Sequence, residues 1–157
     1  MDWDWYLVLV VVHVMTAIIG IGPAFFAPVL LRSGQPLDQL RHSFRLGAIL
    51  ELFPKIGGTI AVLSGIGLVI AGDYQFKDVW IYASIAIYVI IQILMVGFAA
   101  PAQKRVFQWL FNQALEPSSN SVPVEYRELV ARIHLIHYVA TVFGIILFIL
   151  MIVKPTF

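Results

Sequence analysis

Long apolar stretches, each carrying one narrow polar stripe, dominate the pattern of the chain. Four of them, at about 5–31, 45–71, 78–100 and 129–153, are long enough to cross a bilayer as helices, which takes roughly 20 residues. They predict an all-α fold, a four-helix transmembrane bundle forming one domain over residues 1–157. The connections fall at 32–44, 72–77 and 101–128. The short 72–77 turn joins spans two and three as an antiparallel hairpin. The third connection contains "EPSSNSVP" (116–123), a proline- and serine-rich stretch that reads as a mobile loop. Before it, "KRVFQWLFNQAL" (104–115) is amphipathic, and either continues span three or lies along the interface.

The stripes carry the information. Span one has His13, with Ala17, Gly20, Ala24 and Ala27 on its face. Span two has Glu51 and Lys55, then Gly58, Val62 and Gly65. Span three has Ser84, Tyr88 and Gln92, then Met95 and Ala99, and span four has His134, His137, Thr141 and Gly144. In lipid such stripes turn toward one another, because small residues permit close approach and polar groups need partners. At about 1.5 Å per helical residue they form two tiers. His13 and Tyr88 make the outer tier, while Glu51, Lys55, Gln92, Met95, His134 and His137 make the inner one.

Composition supports the same reading. Of 157 residues, 61% are hydrophobic and 12% charged, more apolar surface than a water-soluble domain of this size can hide. The lipid bilayer is therefore the first partner. The formal net charge of +1 gives no case for nucleic acid. There is no cysteine, which excludes disulfides, thiolate metal sites and thiol catalysis. The opening Met1-Asp2-Trp3-Asp4 is acidic where a signal peptide is basic, so it reads as part of the mature protein.

Basic residues predict the orientation. Arg32, Arg41 and Arg45 flank the first connection, and Lys104, Arg105, Arg127 and Arg132 the third, whereas Lys77 and Lys154 stand alone at the other end. The first and third loops are expected in the cytoplasm, with both termini outside (N-out/C-out). Trp3, Trp5, Tyr6, Tyr74 and Trp80 form the outer aromatic belt, with Trp109 near the inner one. "GIGPAFFAPVLLR" (20–32) and "GFAAPAQKR" (97–105) each run glycine, proline, arginine, the trace of a parallel two-helix repeat.

Several chemistries fit these residues. Glu51 and Lys55 have the i, i+4 order of an ion pair. They read as an interfacial pair with Lys55 snorkelling, or as a site for a proton, an anion or a cofactor carboxylate. His134 and His137, one turn apart, could offer two imidazoles to a divalent metal ion, with Glu51 or His13 as third ligand. His13 has no acidic partner on its own helix. It either hydrogen-bonds Tyr88 or Gln92, or ligates a haem over the small Ala17-Gly20-Ala24 face, with His137 as trans ligand and Arg45 and Arg132 holding propionates. The depth estimate separates those two histidines by about 9 Å along the normal, so a tilted haem or a single ligand is less strained. Hydrolysis finds no support, because Ser64 and Ser84 have no evident histidine at their depths.

"LVLVVVHVMTAIIGIGPAFFAPVLLR" (7–32) resembles the opening helix of a family of small predicted four-helix bacterial integral membrane proteins, and the resemblance covers nearly the whole chain. More distantly the chain is similar to HemJ-type protoporphyrinogen oxidases and to the membrane domain of CopD-type copper resistance proteins. The HemJ resemblance implies a membrane haem b and a helix-one histidine, which His13 matches. Span three has no histidine, unlike the later segments of that type, so haem or metal binding alone carries over. The expectation is a bacterial inner-membrane protein that binds haem b in electron transfer or tetrapyrrole-linked redox chemistry, as an oxidoreductase if it is an enzyme, with quinone as redox partner. The alternatives are a metal-ion or proton transporter subunit, assembled as a homodimer or larger, that binds a divalent metal ion or no cofactor, and a structural subunit of a larger complex.

Overall fold

The computed structural model describes residues 3–72, 78–112 and 121–155. It contains four helices long and apolar enough to cross a membrane: α1 (Asp4–Leu30), α2 (Leu37–Ala71), α3 (Val79–Asn112) and α4 (Val124–Val153). Among the described residues there is no strand. Tyr74, Lys77 and most of "EPSSNSVP" lie outside the described residues, as does the side chain of Trp3.

Three helices outrun the apolar runs that predict them. At about 1.5 Å per residue, the 35 residues of α2 extend roughly 52 Å, against a hydrocarbon layer of about 30 Å. The excess lies at the end shared by the first and third connections. Residues 37–44, expected in a loop, are helical because Leu37, Leu40, Ser43 and Phe44 recur at helical spacing and are buried. Asp38, Gln39 and His42 face outward, and these polar residues end the apolar run without ending the helix. Residues 104–112 likewise continue α3 rather than lying along the interface.

These extensions build the core. Leu31, Leu40, Val106, Leu110 and Ile133 are its largest fully buried side chains, joined by Leu37, Phe44, Ala102, Trp109 and Val130. Trp109 stacks on Tyr126 with ring centroids 4.3 Å apart. It is 6% exposed, so it belongs to this cap and not to an aromatic belt. Trp5 is exposed at the opposite end, where Lys154 lies over the Trp80 ring at 5.5 Å.

Within the apolar region the helices pair as two hairpins, α1 with α2 and α3 with α4. The α1–α2 contact is made by glycine: a Cβ on Gly20 would stand 2.5 Å from Gly57 Cα. The contacting face of α2 is Gly57, Ala61, Ser64 and Gly65, which shares Gly65 with the expected stripe Glu51, Lys55, Gly58, Val62 and Gly65 but is rotated from its charged start. Between hairpins, the extensive backbone approach among the described residues is Ala27–Leu30 against α4. There the Phe25 ring meets Phe148 at 5.8 Å and lies against Gly144.

Prolines perturb three helices. Pro54 has no N–H for the Leu50 carbonyl, and α2 is interrupted at Glu51. In α1 a π segment, Ala17–Ile21, precedes Pro23; in α3 a π segment, Ile93–Ala99, precedes Pro101. The two stretches singled out as a repeat thus share a local distortion at the same place.

Candidate functional site

His13 sits on the inner face of α1, where α2 offers no bulk. Its ring lies over Gly65, whose added Cβ would meet His13 Cε1 at 3.0 Å. His13 Nδ1 is 2.8 Å from the Ala61 carbonyl oxygen. A carbonyl only accepts, so Nδ1 carries a proton, and in the neutral ring the lone pair is on Nε2. Ser64 Oγ is 3.4 Å from the same Nδ1 and donates to the carbonyls of Ile60 and Ala61 at 2.7 and 3.1 Å.

Two expectations need correction here. The partner of His13 is the α2 backbone rather than Tyr88 or Gln92 of α3, because the small face of α2 exposes a carbonyl that a larger residue would cover. Ser64 does have a histidine at its depth. Its hydroxyl is spent on its own helix, and among the described residues no carboxylate hydrogen-bonds His13, so no hydrolytic triad is assembled there. Ala61 and Ser64 belong to the site but not to the polar stripe read from the sequence, which holds Gly65. Their signal was the 57–61–64–65 run of small residues on one helical face.

A second polar group lies nearer the cap. His137 on α4 is 6% exposed, and its Nε2 has no hydrogen-bond partner. His134, one turn away on the same helix, is half-buried. Glu51 Oε2 accepts from Lys55 Nζ at 2.8 Å, with side chains 36% and 69% exposed. Lys55 therefore points away from the other helices, outside the polar interior. Ser84 on α3 is buried, and its Oγ also makes no hydrogen bond.

The structure does not bring His13 and His137 together. His13 is level with Ala61, whereas Gly144 lies against Phe25, twelve residues or about 18 Å further along α1, and His137 stands two turns from Gly144 toward the cap. Two histidines on one haem iron need far closer nitrogens, so trans ligation by this pair is not formed. Nor are Arg45 and Arg132 beside His13. Both are exposed at the cap end, with Arg45 over the Phe111 ring at 5.6 Å. Tyr88 is half-buried on α3. Among the described residues, no three His, Asp or Glu side chains converge as metal ligands would, so His13, His134, His137 and Glu51 do not form one metal centre.

A cleft of about 350 Å³ opens in the cap between the starts of α2 and α4, lined by Gln35, Leu37, Leu40, Val122 and Arg127 among others. None of the sequence-predicted site residues lines it.

No curated protein and no solved structure matches the chain. Residues 7–155 match one family, described as "Predicted integral membrane protein (DUF2269)". That match begins before His13 and ends beyond the last apolar residue of α4, taking in all four helices; the chain belongs to this family of integral membrane proteins.

Proposed function

We propose that the protein binds haem b in the apolar layer through His13 alone and serves electron transfer or tetrapyrrole-linked redox chemistry. The observation that carries this reading is the Nδ1–H···O=C bond to Ala61. It fixes ring and tautomer and leaves Nε2 as the ligating nitrogen, the arrangement that a structural second partner gives a metal-bound histidine. Gly65 brings no side chain against the ring, whereas the Ala17–Gly20 face of α1 is closed by the α2 backbone at Gly57 and gives the haem no room. Haem held there would supply one-electron chemistry at membrane depth. His137, Arg45, Arg132 and Tyr88 have no part as ligands or propionate anchors in this version. Protoporphyrinogen oxidation and copper handling, the activities of the more distant resemblances, are not part of it either.

The reading places the protein in the bacterial inner membrane, with the basic cap in the cytoplasm, and with quinone as the redox partner. The test is the absorption spectrum of protein purified after expression with haem supplied. A Soret band is expected, lost in His13→Ala and shifted in Gly65→Ala, which pushes on the ring. A colourless preparation, or a band untouched by His13→Ala, overturns it.

A further inference from the structure

The cleft in the cap has no part in the chemistry of His13, and its walls are of another kind. It holds about 350 Å³, within the range of small-molecule sites. Its deep wall is apolar, made by Leu37 and Leu40 of α2 and Val130 of α4, each at most 5% exposed. Gln35 and Arg127 make its polar rim. One side of that rim is fixed before any ligand arrives. Gln35 Nε2 donates to the Leu30 and Arg32 carbonyls at 2.8 and 3.1 Å, and Gln35 Oε1 accepts from Ser43 at 2.8 Å. Gly34, with φ +81°, makes the turn that leads this segment into α2.

Arg127 is the single charged residue of the lining among the described residues. Asp38, Glu125 and Glu128, the carboxylates at the starts of α2 and α4, line none of it. Among the described residues the guanidinium makes one long hydrogen bond, from Nη2 to the Val122 carbonyl at 3.4 Å, and no ion pair. Most of its N–H donors are therefore open to a ligand. At the same cleft α2 starts at Leu37, after Pro36, with no side chain capping its first amides. The partial positive charge of that helix start adds to the guanidinium. Apolar depth with one unneutralised cation at the mouth suits a monoanion on an apolar body. A carboxylate matches the planar fork, whereas a free phosphate brings a second charge for which the lining has no second cation.

Position along α2 selects the source of that anion. A hydrocarbon layer of about 30 Å, counted from Ala71, ends near Glu51. Leu40 and Leu37 lie about 16 and 21 Å further along the helix, past a headgroup layer of about 5–8 Å. A lipid headgroup does not reach so far from the bilayer, but a solute in the water does. We propose that the cap cleft binds a small water-soluble carboxylate with an apolar body, its carboxylate on Arg127 and its body against Leu37, Leu40 and Val130. The cleft shares no residue with the His13 site, so neither reading rests on the other.

The probe is 3-phenylpropanoate, titrated at neutral pH against the full-length protein in phosphatidylcholine nanodiscs and followed by saturation-transfer NMR, with empty nanodiscs as the blank. Saturable binding is expected, with a Kd at or below about 5 mM for a ligand of this size. Arg127→Gln should weaken it at least about tenfold through loss of the charge-assisted pair, and Arg127→Lys should weaken it less. Arg132→Gln, at an exposed arginine of α4 outside the cleft, should leave it unchanged. The neutral analogue 3-phenylpropanamide should bind at least about tenfold more weakly than the acid. No saturable binding, equal binding of the amide, or a Kd unchanged by Arg127→Gln overturns the proposal. Displacement of the probe by phosphatidylglycerol in the nanodisc also overturns it, by assigning the cleft to a lipid headgroup. Should Arg127→Gln fail to fold, Ser121→Trp, at an exposed position of the lining, must block binding, and unimpaired binding overturns the proposal equally.

Discussion

At the cap end, Leu31, Leu40, Val106 and Ile133 interlock as large aliphatic side chains do in a water-soluble core. Farther along α1 and α2, Gly20 and Gly57 bring two backbones together with no side chain between them. The difference follows from the solvent. Near water, burying aliphatic surface is worth about 25 cal/mol per Å², so bulk is an advantage. Between lipid tails that gain vanishes, and association rests on close van der Waals contact and satisfied polar groups, so bulk is an obstacle. Side-chain size reverses its meaning along a single helix: α2 needs Leu40 and Phe44 below Glu51, and needs Gly57, Ala61 and Gly65 above it.

The contrast can be broken at either end. Gly57→Leu should do most damage, at least about 3 kcal/mol from forced overpacking, because its new side chain enters the Gly20 backbone. Loss of folded protein on size-exclusion chromatography in detergent would show this; tolerance would mean that the hairpin is not closely packed. Ile133→Ala in the cap should cost about 2–4 kcal/mol by leaving a cavity, read as a lower denaturation midpoint with the His13 site intact. Tyr126→Leu should cost about 1 kcal/mol through the lost stack on Trp109, visible in tryptophan fluorescence. Lys55→Met should shift stability by less than about 0.5 kcal/mol, since an exposed ion pair contributes little. A large loss there would show that Lys55 is held in lipid rather than at an interface.

Four spans were legible because twenty apolar residues in a row have few alternatives. The cap was not, because 37–50 and 104–112 mix leucine and phenylalanine with Asp38, Arg41, Lys104 and Arg105, and averaged hydropathy falls while helical spacing persists. Spacing, not hydropathy, held the signal for these extensions. The polar residues of the two tiers were recognisable one by one. Their pairing was not, because His13 is satisfied by the Ala61 carbonyl, and every residue has a carbonyl. Depth counted along each span already sets His13 apart from His137, but the size of the gap depends on register between helices, which that count cannot give. The small-residue run 57–61–64–65 was visible, but it lay beside the more conspicuous Glu51 and Lys55, and charge drew the stripe one position away.

The division into hairpins bears on how the chain can be cut. α1 and α2 close on each other through glycine, α3 and α4 have their own long contact, and the halves meet at Ala27–Leu30 and in the cap. A gene divided between Gly72 and Asp78 should therefore yield two separately translated fragments that insert independently and find each other afterwards. The cap is then their recognition surface, and a fragment lacking Ile133 would be the one left without a mate.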